Sequence, residues 1–212
     1  MAVLSRFPLD PAGVRTFQRF RWADLPGNHM PPEHLAPEAA TIFRLSSKSK
    51  WEVPVAMGAD TLHFWISHPT PPVFDGPEDR NGRRNFDEIR FWREYTSPEP
   101  ADWIRDDAGT TGGLAPGSRF VIAGDLNADP QDGDSRPGAI AQLLMAGPMH
   151  TLSSAWRTCM QVSSASEYTA TLLIPISRQA RITLRAISPR LAMRIFLNMG
   201  HASGTYLEQR LT

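Results

Sequence analysis

A single cysteine, Cys159, stands among 212 residues, which excludes an internal disulfide and any cage of cysteines around zinc. No run approaches the roughly 18 consecutive apolar residues that a membrane span needs, so no span is expected. An excess of one charge is missing too: 22 Lys and Arg balance 22 Asp and Glu. That balance excludes a strongly basic binder working through its whole surface. The opening MAVLSRFPLD has no charged segment ahead of an apolar one, so no signal peptide is expected in this chain. No internal repeat occurs, and nothing points to an obligate protein partner.

What is present suits a folded domain. Apolar residues make up 41% and charged residues 21%, a balance that excludes wholesale disorder. The average conceals a break. Residues 1–150 carry a net charge of −5 and 17 of the 19 prolines, whereas residues 151–212 carry seven Arg, two Glu and no Asp or Lys, a net +5. A domain over 1–150 and a basic tail of unrelated composition over 151–212 are expected. The tail reads either as an out-of-frame segment not selected to fold with the rest or as an arm for nucleic acid or anionic lipid.

The first segment reads as short strands between Pro- and Gly-rich loops. Ala2–Ser5 has the look of a strand end, and Thr41–Leu45 and Trp51–Val55 look like a hairpin turning through SSKSK. Thr61–Ser67 alternates, with Leu62, Phe64 and Ile66 on one face. Arg119–Ala123 is continuously apolar after its first residue, as in a strand buried on both faces. One helix is expected from an Asn85 N-cap through Tyr95, and another from Ser135 with Pro137 in its first turn. In the tail, Ile182, Leu184 and Ala186 alternate like a strand, and Leu191–Met199 suits a helix. Alternating strands and helices make the class α/β.

Three groupings carry chemistry. Gly124-Asp125-Leu126-Asn127-Ala128-Asp129-Pro130 closes the buried strand, and strand C-termini are where α/β proteins collect functional groups. Asp125 and Asn127 can orient a water and hold a phosphate or a hard cation; the alternative is an Asx-turn. A calcium loop fails, because Pro130 stands where glycine is needed and Arg136 where a bidentate glutamate is needed. His68 follows the alternating strand and precedes a proline, a setting for a general acid or a donor to phosphoryl oxygen, or for an ordinary loop histidine. His63 is read as structural, and His29 and His34 as loop residues without a third metal ligand. The run DGPEDRNGRRNFDEIR supplies Arg80, Asn81, Arg84 and Asn85. Guanidinium and carboxamide groups suit phosphate, while the interleaved acids equally allow a turn at Asn81-Gly82 laced with ion pairs.

In that order, SHPTPPVFDGPEDRNGRRNFDEIRFW and FVIAGDLNADPQDGD, with FRLSSKSKWEVPV ahead of them, resemble the endonuclease/exonuclease/phosphatase (deoxyribonuclease I-like) superfamily. The likeness is to a bacterial phosphatase-like branch, over roughly residues 1–147. It implies a four-layer α/β sandwich, two mixed sheets face to face with helices outside. It also implies a metal-dependent phosphoesterase that hydrolyses mono- or diesters by in-line attack of water. His68, Asp125 and Asn127 would be catalytic, with Asp125 and Asn127 also contacting Mg²⁺ or another divalent cation. Arg80, Asn81, Arg84 and Asn85 would contact substrate phosphate. The substrate would be a phosphate ester, with nucleic acid among the candidates. The Asn and Glu of the family's opening strands and its closing Ser-Asp-His are not found in these residues, so an N- and C-terminally truncated, incomplete sandwich is expected. The alternatives are an inactive fragment of such an enzyme and a non-catalytic module binding anions through the basic tail.

Overall fold

A computed structural model describes residues 1–130 and 133–144, together with the strand backbones of 168–174, 180–186 and 194–198. A two-residue strand, β1 (Arg15–Thr16), pairs with β2 (Lys50–Met57), and β2 turns through Gly58-Ala59 into β3 (Asp60–Ser67). Gly58 takes φ +72, the left-handed first position that tight two-residue hairpin turns demand. From β3 the chain passes through the helix α2 (Arg80–Tyr95) to β4 (Arg119–Gly124), which runs parallel to β3. A short helix, α1 (Pro37–Ile42), precedes β2, and another, α3 (Ala141–Leu144), follows β4.

The backbones of 168–174 and 180–186 form β5 (Tyr168–Ile174) and β6 (Ala180–Ala186), an antiparallel pair. That of 194–198 forms β7 (Arg194–Asn198), antiparallel to β4. The main sheet is therefore mixed, in the order β1-β2-β3-β4-β7. Among the described residues no helix is long and apolar enough to cross a membrane.

Both faces of this sheet are buried. On one, Trp65 lies between Trp92 of α2 (5.1 Å, 11° between planes) and Phe120 of β4 (4.3 Å, 7°). Phe17, Phe91, Tyr95 and Ile122 complete this core. On the other face, cross-strand register brings Val53, Val55, Leu62, Ile66, Val121 and Ala123 together, all buried. The alternation of Thr61–Ser67 thus separates two apolar layers rather than core from solvent.

Several sequence expectations are corrected. Residues 2–5 form no strand, and Thr41 belongs to α1. The partner of Trp51–Val55 is Leu62–Ile66; SSKSK leads into the hairpin rather than capping it, with Ser46, Ser49 and Lys50 buried. α2 begins at Arg80 and not at Asn85, because Asp75 reaches forward to accept the Asn81 and Gly82 amides at 2.8 Å each. The second helix shrinks to α3, preceded by a turn with Gly138 at φ +83; Ala139, Ile140 and Leu143 still face the core. Within Leu191–Met199 a strand, β7, replaces the helix. A short apolar run does not by its period alone decide between the two. The side chains of 151–212, Cys159 and the basic arm among them, lie outside the described residues.

Candidate functional site

His68 is the residue after β3 and Asp125 the residue after β4. Because these strands are parallel neighbours with Ile66 opposite Ala123, their C-termini finish side by side. Gly124 allows the closeness: at φ +136, a Cβ there would sit 2.0 Å from the Ser67 carbonyl oxygen. No other residue type fits that contact.

His68 Nε2 stands 4.0 Å from Asp125 Oδ2, with both side chains partly open to solvent. Asp125 Oδ1 accepts the Asn127 backbone N–H at 3.0 Å. The heptapeptide is thus an Asx-turn and a candidate site at once, one oxygen holding the turn and the other facing the imidazole. Asn127 adopts φ +48, a left-handed conformation that asparagine tolerates better than most residues. Its Nδ2 donates to the Pro69 carbonyl at 3.0 Å, tying the two strand-end loops together. Burial foremost, then the positive charge of Lys48, pushes the His68 imidazole below its ordinary pKa, against the upward pull of Asp125 and Glu88. That environment favours the neutral imidazole.

The structure brings His68, Asp125 and Asn127 together. It directs most of the other candidates toward the backbone. Asn81 Nδ2 donates to the Val73 carbonyl, and Arg84 donates to the carbonyls of Leu45 and Arg44 while its guanidinium lies 4.6 Å from the Phe43 ring centroid. Asn85 is wholly buried, with Nδ2 donating to the carbonyls of Thr70 (2.9 Å), Leu126 (3.0 Å) and Asn127 (3.4 Å). Arg80 sits half-buried at the start of α2. His63 is held by Glu52 at 2.6 Å, and His29 by Asp87 at 2.8 Å.

Sequence reasoning missed two charged residues near the pair. Lys48 lies in the stretch expected to be a turn. Glu88, in an acid-rich run, accepts the Thr70 amide at 2.5 Å and faces Lys50 Nζ at 3.9 Å. The available signal was spacing: Asn85, Glu88 and Trp92 fall on one helical stripe, and polar residues on a buried stripe need partners.

A mixed sheet buried on both faces, with a histidine and a carboxylate at adjoining ends of parallel strands, defines an α/β protein whose functional groups gather at strand termini. The chain belongs to the Endonuclease/Exonuclease/phosphatase family, whose pattern matches residues 1–185. That bears out the resemblance and the α/β sandwich class expected from the sequence. The family generally hydrolyses phosphodiester or phosphomonoester bonds. Among solved structures, sphingomyelinase C from Streptomyces griseocarneus is similar at 15% identity and a TM-score of 0.36, over 72% of this chain and 58% of that one. The chain therefore spans less than two thirds of that protein. Among curated proteins nothing matches.

Asp125 and Asn127 are the described residues that would hold a divalent cation here. No group of three or more His, Cys, Asp or Glu among the described residues is placed to hold a cation. Asp125 Oδ2 and the Asn127 amide oxygen are the donors the pair would offer a divalent cation, the Asn127 amide nitrogen being committed to Pro69. A Mg²⁺ ion takes six oxygen ligands, several of them water and substrate phosphate, of which this pair would supply at most two.

Proposed function

We propose that the chain is a phosphoric ester hydrolase in which His68 and Asp125 act on the same phosphoryl group. The observation that carries this reading is the 4.0 Å separation of His68 Nε2 and Asp125 Oδ2 at the ends of β3 and β4. Two groups this close can contact one tetrahedral anion and its attacking water. Asp125 Oδ2 accepts a hydrogen bond from water and orients its oxygen toward phosphorus. As the new P–O bond forms, the ester P–O bond breaks, and the proton lost by the water ends on the departing oxygen. The imidazole of His68 donates its N–H to a non-bridging oxygen, where charge builds up. Asn127 keeps the loop of Asp125 against that of His68 through Pro69.

The test uses 4-nitrophenyl phosphate and bis(4-nitrophenyl) phosphate with the full chain, with and without added Mg²⁺. We expect His68→Ala to lower kcat about 100-fold or more, and Asp125→Ala with Asn127→Ala to abolish turnover. Equal rates for wild type and the double variant would remove these residues from the reaction. A rate dependent on Mg²⁺ that is lost in Asp125→Ala would place the cation at this carboxylate, completed by water and substrate phosphate.

A further inference from the structure

The buried stripe of α2 grips the site from behind. Trp92 Nε1 donates to Ser67 Oγ at 2.9 Å, and Glu88 Oε2 accepts the Thr70 amide, so the helix holds the chain on both sides of His68. Asn85 uses one NH₂ group on the Thr70 carbonyl and on the Leu126 and Asn127 carbonyls that follow Asp125. All three helix residues are wholly buried, and none faces the solvent where a substrate would arrive. Asn85 Oδ1 and Glu88 Oε1 have no hydrogen-bond partner among the described residues. An apolar residue at either position would fill the space but leave the Thr70 amide, or the Thr70 and Leu126 carbonyls, without its partner. Packing therefore does not account for the choice of residues, whereas holding two loops does.

Lys50 completes the arrangement. Its ammonium faces Glu88 Oε1 and lies 5.7 and 5.9 Å from the Phe91 and Trp92 ring centroids. It matches the carboxylate charge in a site closed to water.

We propose that Asn85 and Glu88 are positioning residues that fix the separation of His68 and Asp125 through the backbone of Thr70, Leu126 and Asn127. This rests on the hydrolase reading given above. The experiment compares wild type, Asn85→Ala, Glu88→Ala and Glu88→Gln in the full chain. It reads kcat and KM on 4-nitrophenyl phosphate and amide hydrogen exchange at Thr70 and Asn127.

Asn85→Ala and Glu88→Ala are expected to lose about 100-fold in kcat, the scale of an ångström-sized misplacement, with KM within about threefold of wild type. Glu88→Gln keeps an acceptor for Thr70 and is expected to recover kcat to within about tenfold. Wild-type kcat in folded Asn85→Ala and Glu88→Ala overturns the proposal, as does a Glu88→Gln no better than Glu88→Ala. Should the alanine variants fail to fold, Ser67→Ala, which removes only the acceptor of Trp92 Nε1, decides. A several-fold loss of kcat at constant KM supports positioning, and an unchanged kcat overturns it. If the wild type hydrolyses neither ester, the hydrolase reading fails by itself. Exchange then decides the clamp: acceleration at both amides in Asn85→Ala sustains it, and wild-type rates overturn it.

Discussion

Gly124 carries a requirement that its neighbours impose. Its φ of +136 and the Ser67 carbonyl only 2.0 Å from where a Cβ would be leave no room for a side chain. Gly124→Ala must push β3 and β4 apart at their C-termini. The expected cost is about 2–3 kcal/mol from strain and overpacking together. Denaturant titration measures it, and a variant as stable as wild type would show that the strand ends relax freely. Asn127 solves a related problem differently, its left-handed backbone being fastened by the Asp125 carboxylate and by its own bond to Pro69. That His68 and Asp125 stand at the ends of β3 and β4 was legible in the sequence, because a polar residue directly after an apolar strand has few places to go. Glu88 was not, because its role comes from a contact with Thr70, 18 residues away, that no local pattern records.

Among the elements, α2 shows how far a cap can lie from its helix. Asp79 occupies the N-cap position at φ +50 without a side-chain cap bond, and Asp75 supplies the missing acceptors from outside. Asp75→Ala leaves the Asn81 and Gly82 amides without this partner and is expected to cost about 1–2 kcal/mol. Urea unfolding of the full chain checks it, and a change under about 0.5 kcal/mol would mean that water replaces the carboxylate fully. This remote cap is also why the helix start escaped sequence reasoning. Asn81-Gly82 has the composition of a turn, and only the carboxylate of Asp75 makes it the first turn of a helix. β3 and β4 were read nearly to the residue, since apolar alternation and a continuous apolar run respond to burial directly. The hairpin was misplaced because Ser and Lys in SSKSK suggested exposure, whereas Lys50 is buried against α2.

On the scale of the whole molecule, that lysine is a charge enclosed between sheet and helix. Burial foremost pushes Lys50 down to about 8 from an ordinary 10.5, with Glu88 pulling upward and Arg84 downward. The unfolded chain therefore holds this proton more firmly than the folded one. The group opposes folding at pH values below about 8, and its cost is relieved as pH climbs toward the unfolded value. Stability of wild type relative to Lys50→Met should rise between pH 8 and 10, by an amount on the order of 2–3 kcal/mol. Paired denaturant titrations at the two ends of that range test it, because groups remote from Lys50 cancel between the two proteins. A constant difference would mean that Lys50 stays protonated throughout.

The near-parallel overlap of Trp65 and Trp92 has an optical consequence. Indole rings 5.1 Å apart and fixed in a chiral core contribute to the near-ultraviolet circular dichroism of the protein. Since Trp92 also bonds the residue preceding His68, that intrinsic signal follows the seating of the imidazole loop without any attached label.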